Sequence, residues 1–311
     1  MAKWGMPRQV RIATRRSRLA IWQAEHVAAR LAALHAGLVV SLVPIVTEGD
    51  RIQDRSLAGV GGKGLFIKEL ENAIRAGVAD IAVHSMKDMP GELAPDLAIG
   101  AALERADARD VFVSVRHDSL AALPHGASIG TSSLRRQCQL RHLRPDFDIV
   151  VLRGNVETRL RKLDSGDCDA TVLAAAGLVR LGLEARIREH LAPQQMLPAA
   201  GQGVIGIECA ADREDILGLI RPLEHAATRT TLEAERALTA RLGGSCQSPI
   251  AAYATLAGDT LHLRGLVGSP DGRTIFADSI AGPARDAIPL GTALATRLLE
   301  AGAGELLKCL G

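Results

Sequence analysis

Short apolar runs alternate with amphipathic stretches of helical period through the first two-thirds of this chain, and most of the runs end in a polar segment. Apolar runs of this length suit strands covered on both faces, and an intervening helix returns the chain to start a parallel neighbour. Residues 10–13 read as the first strand. Ala20, Ala24, Val27, Leu31 and Leu34, spaced by four and three, mark a helix to about His35, which Gly37 is placed to end. Strands are expected at 38–46, 80–83, 97–101, 111–115, 149–152, 171–173 and 204–208, with helices over about 65–75, 133–143 and 156–163. This alternation predicts α/β architecture with a largely parallel sheet. The polar run at 105–110 breaks it and reads as a hinge.

The last ninety or so residues follow another pattern. A helix over about 228–241 precedes strand-like runs around 251, 261–267 and 274–280, joined by turns such as Ser269-Pro270-Asp271-Gly272, and a helix over 290–301 closes the chain. That is an antiparallel pattern. A length of 311 residues allows two to three domains, and 47% apolar content is enough for each to bury a core. Aromatic residues are 2% of the chain, so Leu, Ile, Val and Ala must build those cores.

The net charge of +2 and the lack of aromatic platforms speak against a nucleic-acid binder. Within that balance the basic residues are 31 Arg and 6 Lys. Arg suits planar anions because its fork of donors meets a carboxylate two bonds at a time. The five cysteines are scattered and odd in number, which argues against a disulfide framework or a metal site and for a reduced compartment. With no apolar leader and no run long enough to span a bilayer, the chain is expected to be cytoplasmic.

Four polar segments fall where parallel strands should end, the place where open α/β sheets hold ligands. They are Thr14-Arg15-Arg16-Ser17, His84-Ser85-Met86-Lys87-Asp88, Gly130-Thr131-Ser132-Ser133-Leu134-Arg135-Arg136, and Arg153-Gly154-Asn155 with Arg159 one turn on. Each alone is an ordinary helix cap beside a solvated Arg. Together they predict a cleft between two α/β domains, lined by Arg and hydroxyls, for a ligand with several negative charges. Asp88 is the lone anion of the set, suited to a substrate that turns cationic at its reacting centre. Cys246 lies in a Gly/Pro-flanked loop and reads as accessible, a nucleophile or a covalent anchor, whereas Cys138, Cys168, Cys209 and Cys309 read as buried thiols. Two G-x-G-x-x-G matches, at 59–64 and 201–206, lack the strand–turn–helix setting of a dinucleotide site.

These residues resemble the porphobilinogen deaminase (hydroxymethylbilane synthase) family over nearly the whole chain. The resemblance is carried by Ile12-Ala13-Thr14-Arg15, Gly61-Gly62-Lys63-Gly64-Leu65-Phe66, Ala82 to Asp88, Gly130 to Arg136, Leu152-Arg153-Gly154-Asn155, Gly201-Gln202-Gly203 and the Cys246 loop. It implies an α/β fold: two periplasmic-binding-protein-like α/β domains, 1–104 plus about 203–221 and 105–202, with a smaller C-terminal α+β domain over 222–311. It implies a transferase of porphyrin (haem) biosynthesis that joins four porphobilinogen molecules head to tail into hydroxymethylbilane and releases ammonia. A dipyrromethane cofactor, held through a thioether to Cys246, primes the chain. Asp88 matches the catalytic aspartate. The implied binding set is Arg15, Ser17, Lys63, Phe66, Ser85, Lys87, Thr131, Ser132, Ser133, Arg135, Arg136, Arg153, Gly154, Asn155, Arg159, Arg180 and Gln202, with no metal, no nucleic-acid or membrane partner, and a monomeric state. Arg18 stands where many members have Pro, and Ser248-Pro249-Ile250-Ala251 replaces a common Val-Pro-Ile-Gly. A two-lobed binding protein for a small polycarboxylate is the alternative of a different class; it would need no cysteine loop.

Overall fold

The computed structural model describes residues 8–51, 67–245 and 247–310. Strands β1 Gln9–Arg15, β2 Val39–Ile45, β3 Ile81–Ser85 and β4 Leu97–Ala102 begin a first sheet. The chain then crosses to a second sheet of β5 Asp110–Ser114, β6 Ser128–Gly130, β7 Asp148–Val150, β8 Ala170–Ala174 and β9 Glu189–Leu191. It returns to the first with β10 Ile205–Ala210. The two sheets share one topology, β2-β1-β3-β10-β4 and β7-β6-β8-β5-β9. In each, a single strand runs against the rest: β10 is antiparallel to β3 and β4, and β5 to β8 and β9. The expected largely parallel sheet is therefore two mixed sheets, each completed by a strand that arrives from the other lobe.

The helix Arg18–Leu34 buries Ala24, Val27 and Leu31 as its spacing requires, packed with Ile12, Ile81 and Ile207 of the first sheet. Leu34 is left exposed at its end. Phe112, Ile129, Leu140 and Val172 fill one side of the second sheet, and Val111, Leu160 and Leu178 the other. The C-terminal unit is a meander of β11 Ile250–Ala257, β12 Thr260–Gly268 and β13 Ile275–Pro283, covered by the helices Ala226–Arg241 and Ala287–Leu298. Ala251 is buried within β11, opposite Leu266. Cys138, Cys168 and Cys209 are buried, and burial pushes Cys138 and Cys209 up to about 12. Cys309 departs from the expectation: it follows the terminal helix Gly304–Lys308 and is exposed.

Glu235 ties the three units together. It is fully buried and takes two bonds from Arg105 on the first crossing, at 2.8 and 2.7 Å. It also accepts the backbone N–H of Gly201 on the second crossing (2.7 Å) and that of Ala254 on β11 (2.8 Å). Both crossings are thus pinned to the C-terminal unit. Gly201 sits at φ +69°, and a Cβ there would stand 2.8 Å from Met86 Cβ, so glycine lets the second crossing pass against the turn that carries Lys87 and Asp88.

Candidate active site

The functional segments sit at the carboxyl ends of β1, β3, β6 and β8 and just beyond β7, as the sheet topology requires. Three of their polar side chains cap helices. Ser17 Oγ accepts from Ala20 N (3.4 Å), Ser133 Oγ from Arg136 N (3.4 Å) and Asn155 Oδ1 from Thr158 N (2.8 Å). Asp88 ends a single 3₁₀ turn, Met86–Asp88, that continues β3.

Two cavities meet at that turn. The larger, about 430 Å³, lies between the two lobes and is lined by Arg15, Arg16, Ser17, Ser85, Lys87 and Asp88 from the first and by Arg136, Arg153, Gly154, Asn155, Arg159 and Arg180 from the second. The other, about 280 Å³, shares Lys87, Asp88, Arg136, Arg153 and Arg159. It extends past Ser132, Ser133, Arg135 and Gln202 to Ser245 and Gln247, the residues on either side of Cys246. Among the described lining residues Asp88 is the sole carboxylate of either cavity.

The cations around Asp88 are of two kinds. Arg135 and Arg136 converge on the fully buried Asp110, Arg135 through Nη1 and Nη2 (2.7 and 3.2 Å), Arg136 through Nη2 and Nε (2.8 and 3.1 Å). Burial pushes the Asp110 carboxyl up, but the two guanidiniums outweigh it and hold it below the usual carboxylate range. Arg135 Nη1 also serves the Leu197 carbonyl (2.7 Å). Gln202 donates Nε2 to the Ala108 carbonyl (2.7 Å) and to Asp110 (3.2 Å), and its Oε1 is buried without a partner among the described residues.

Lys87, Arg159 and Arg180 make no ion pair with a carboxylate among the described residues. Arg159 Nε donates to the Gly154 carbonyl (2.8 Å) and Arg180 Nη2 to the Gly203 carbonyl (2.7 Å). Burial pushes Lys87 down to about 8; Asp88 opposes this and Arg136 adds to it. Burial likewise lowers Arg159 and Arg180 to about 10. Desolvated cations without an internal counter-charge are costly to the fold and are completed by an anionic ligand.

The structure therefore brings the four predicted segments to one place. Thr131 is the exception. It is buried behind the lining, and its Oγ1 accepts the Ser133 N–H (3.2 Å), so it shapes the turn rather than facing either cavity. Lys63, Phe66 and Cys246 lie outside the described residues. Sequence reasoning passed over Gln23, Arg236 and Thr239. Gln23 was signalled by a polar residue on the apolar face of its helix; it is buried and bonds Ser85 Oγ (2.9 Å). Nothing in the sequence marked Arg236 or Thr239. Arg18, the departure noted above, reaches across the cleft mouth to Glu157 (3.1 Å).

Clustered cations, one anion among the described residues, and a second cavity that ends at the residues flanking Cys246 suit a ligand with several carboxylates. A family model described as "Porphobilinogen deaminase, dipyromethane cofactor binding domain" matches residues 10–218. The "Porphobilinogen deaminase, C-terminal domain" matches residues 229–300. A porphobilinogen deaminase of Stenotrophomonas maltophilia is 58% identical over 300 residues, covering 96% of this chain and 99% of the relative. One of Chromobacterium violaceum is 55% identical over 296 residues, 95% and 96% of the two chains. Solved structures resemble it more remotely. The Bordetella pertussis BvgS periplasmic VFT2 domain is 15% identical, covers 69% of this chain and 86% of its own, and has a TM-score of 0.43. The methionine-binding protein MetQ is 14% identical, covers 69% and 89%, and also scores 0.43. Sequence identity of 55–58% over nearly the whole chain, with both family domains in order, leaves one assignment: this chain belongs to the porphobilinogen deaminase family.

Proposed function

We propose that this chain is a hydroxymethylbilane synthase that condenses four porphobilinogen molecules head to tail with loss of four ammonia molecules. The observation that carries the reading is one carboxylate, Asp88, among the seven cations that line the larger cavity, counted over the described residues. Each porphobilinogen ring bears an acetate and a propionate. Arg15, Arg153, Arg159 and Arg180 hold these groups from the two lobes, and Ser17, Ser85 and Asn155 add hydroxyl and amide contacts. Each charge-assisted bond contributes about 1.5–3 kcal/mol once water is excluded.

A dipyrromethane held as a thioether by Cys246 would supply the ring end for the first substrate. Ser132, Ser133 and Arg136 wall the cavity leading to it, Arg135 and Gln202 brace that wall through Asp110, and Thr131 shapes its turn. Lys63 and Phe66 join the binding set on the family resemblance alone. Asp88 hydrogen-bonds pyrrole N–H groups. When ammonia leaves, the substrate becomes a methylene-pyrrolenine cation, and Asp88 is fixed where that charge develops. The α-proton displaced in ring joining passes to Asp88 or out through it. The three units divide at about 104, 202 and 221. The enzyme is read as a cytoplasmic monomer without nucleic-acid or membrane partners; no described helix is long and apolar enough to cross a membrane.

The test is the intact mass of the purified protein beside its Cys246→Ser variant. The wild type should carry the excess of two linked pyrrole units and the variant should not. Wild-type protein that cannot be loaded even after incubation with porphobilinogen would refute the reading.

A further inference from the structure

Arg236 stands on the helix Ala226–Arg241 and lines the second cavity together with Thr239, Ser245 and Gln247. Among the described residues it is the one cation that the C-terminal unit brings to either cavity. Its neighbours in the same region have their carboxylates: Arg229 pairs with Glu224 at 2.7 Å and Arg105 with Glu235 at 2.7 Å. Arg236 makes no ion pair among the described residues. Nη2 donates to the Gly91 carbonyl (3.0 Å), and neither Nε nor Nη1 donates to a described protein acceptor. Burial lowers its affinity for the proton, Arg229 adds to this, and Glu208 opposes it from a distance.

A guanidinium kept half-desolvated, with donors unspent on a polar cavity, has the chemistry of an open carboxylate site. The other cations of the two cavities belong to the lobes. An oligopyrrole growing from Cys246 gains two carboxylates with every ring, and these must be met on the C-terminal side as well. We propose that Arg236 binds an acetate or propionate of the anchored chain, on a ring already joined. This rests on the synthase reading given above and adds to it a binding residue on the third unit.

The experiment uses the holoenzyme with Arg236→Gln and Arg236→Lys. Gln can still donate to the Gly91 carbonyl but lacks the charge. In the Gln variant the mass excess of two pyrrole units should be present and KM for porphobilinogen should stay within about threefold. With one charge-assisted contact gone, kcat should fall roughly tenfold or more. Under limiting substrate its mass spectrum should show bound intermediates piled up at a chain length that wild type passes through. Arg236→Lys should restore much of kcat. A Gln variant with wild-type kcat and intermediates overturns the proposal. So does a variant that melts well below wild type while Lys restores melting but not kcat, because Arg236 would then be only a strut. Failure of the synthase reading itself looks different: wild type would show no pyrrole mass at all.

Discussion

The buried cations around the crossings and those in the cleft are chemically alike but are treated in opposite ways. Arg105, Arg135 and Arg136 are mated to fully buried carboxylates, Glu235 and Asp110. Lys87, Arg159 and Arg180 are half-buried at a cavity without such a mate among the described residues, and desolvation lowers all three. The first group holds the fold together at a net cost close to zero, because desolvation is repaid by short, bidentate pairing. The second group is kept at the fold's expense for a partner that comes from outside. Arg136 stands between the two. Asp110 takes its Nε and Nη2, leaving Nη1 without a described acceptor in a side chain that lines both cavities.

The comparison predicts opposite outcomes for stability and binding, and the largest effect belongs to the mated group. Glu235→Ala strands Arg105 in a buried site and frees the N–H groups of Gly201 and Ala254. The expected loss is about 3–5 kcal/mol of stability, read as a clear fall in Tm. At low temperature the cleft should still bind carboxylates. A Tm within 2 °C or so of wild type would show that the hub does not hold the units together.

Arg159→Gln is the converse. Removing one unmated guanidinium should raise KM for porphobilinogen by about 10- to 100-fold, the loss of one charge-assisted bond. Tm should be unchanged or higher, because the fold no longer carries that desolvated charge. A drop in Tm comparable with that of Glu235→Ala would erase the distinction between the two groups.

How far the sequence revealed this division follows from distance along the chain. Strand ends, caps and Arg clusters are local, so the four segments and Asp88 could be read from neighbouring residues. Pairing is not local. Asp110 lies 25 residues from Arg135, and Arg105 lies 130 from Glu235, so no spacing showed which arginines were already engaged. Arg135 and Arg159 looked equivalent in the sequence for that reason. The strands β6 and β9 are three residues each, too short for periodicity to register. The antiparallel places of β5 and β10 depend on the two crossings, which no local pattern describes. Arg236 was invisible because its helix meets the cavity only after all three units are assembled.

Lys87 offers a gentler probe of the unmated group. Its ammonium is lowered to about 8, so it is charged below that pH and neutral above it. An anion bound partly by Lys87 should bind more weakly as pH rises through 8, so KM for porphobilinogen should climb from about pH 8 upward. Lys87→Arg should remove that limb, since a guanidinium keeps its charge there. Stability should move the other way. The unfolded chain takes up its Lys87 proton at the ordinary value of 10.5, so between about 8 and 10.5 it holds more protons than the native state. This group's contribution to unfolding free energy therefore rises with pH across that window. A KM that is flat from pH 7 to 9.5 would place Lys87 outside the binding set.

The smallest effect separates an exposed pair from both buried groups. Arg18 and Glu157 face each other across the cleft mouth at 3.1 Å, Arg18 from the first lobe and Glu157 from the first turn of the helix Val156–Asp164. The Arg18 side chain is 64% exposed and that of Glu157 36%, so water and salt screen most of their attraction. A double-mutant cycle with Arg18→Ala and Glu157→Gln should return a coupling of about 0.2–1 kcal/mol in Tm-derived stability, shrinking further in 0.5 M salt. Because the pair spans two lobes, the same cycle in kcat/KM reads whether holding the mouth together matters to entry of the substrate. Coupling above about 2 kcal/mol would mean that the pair is desolvated when the cleft is occupied, and it would then belong with Arg105 and Glu235 rather than at the surface.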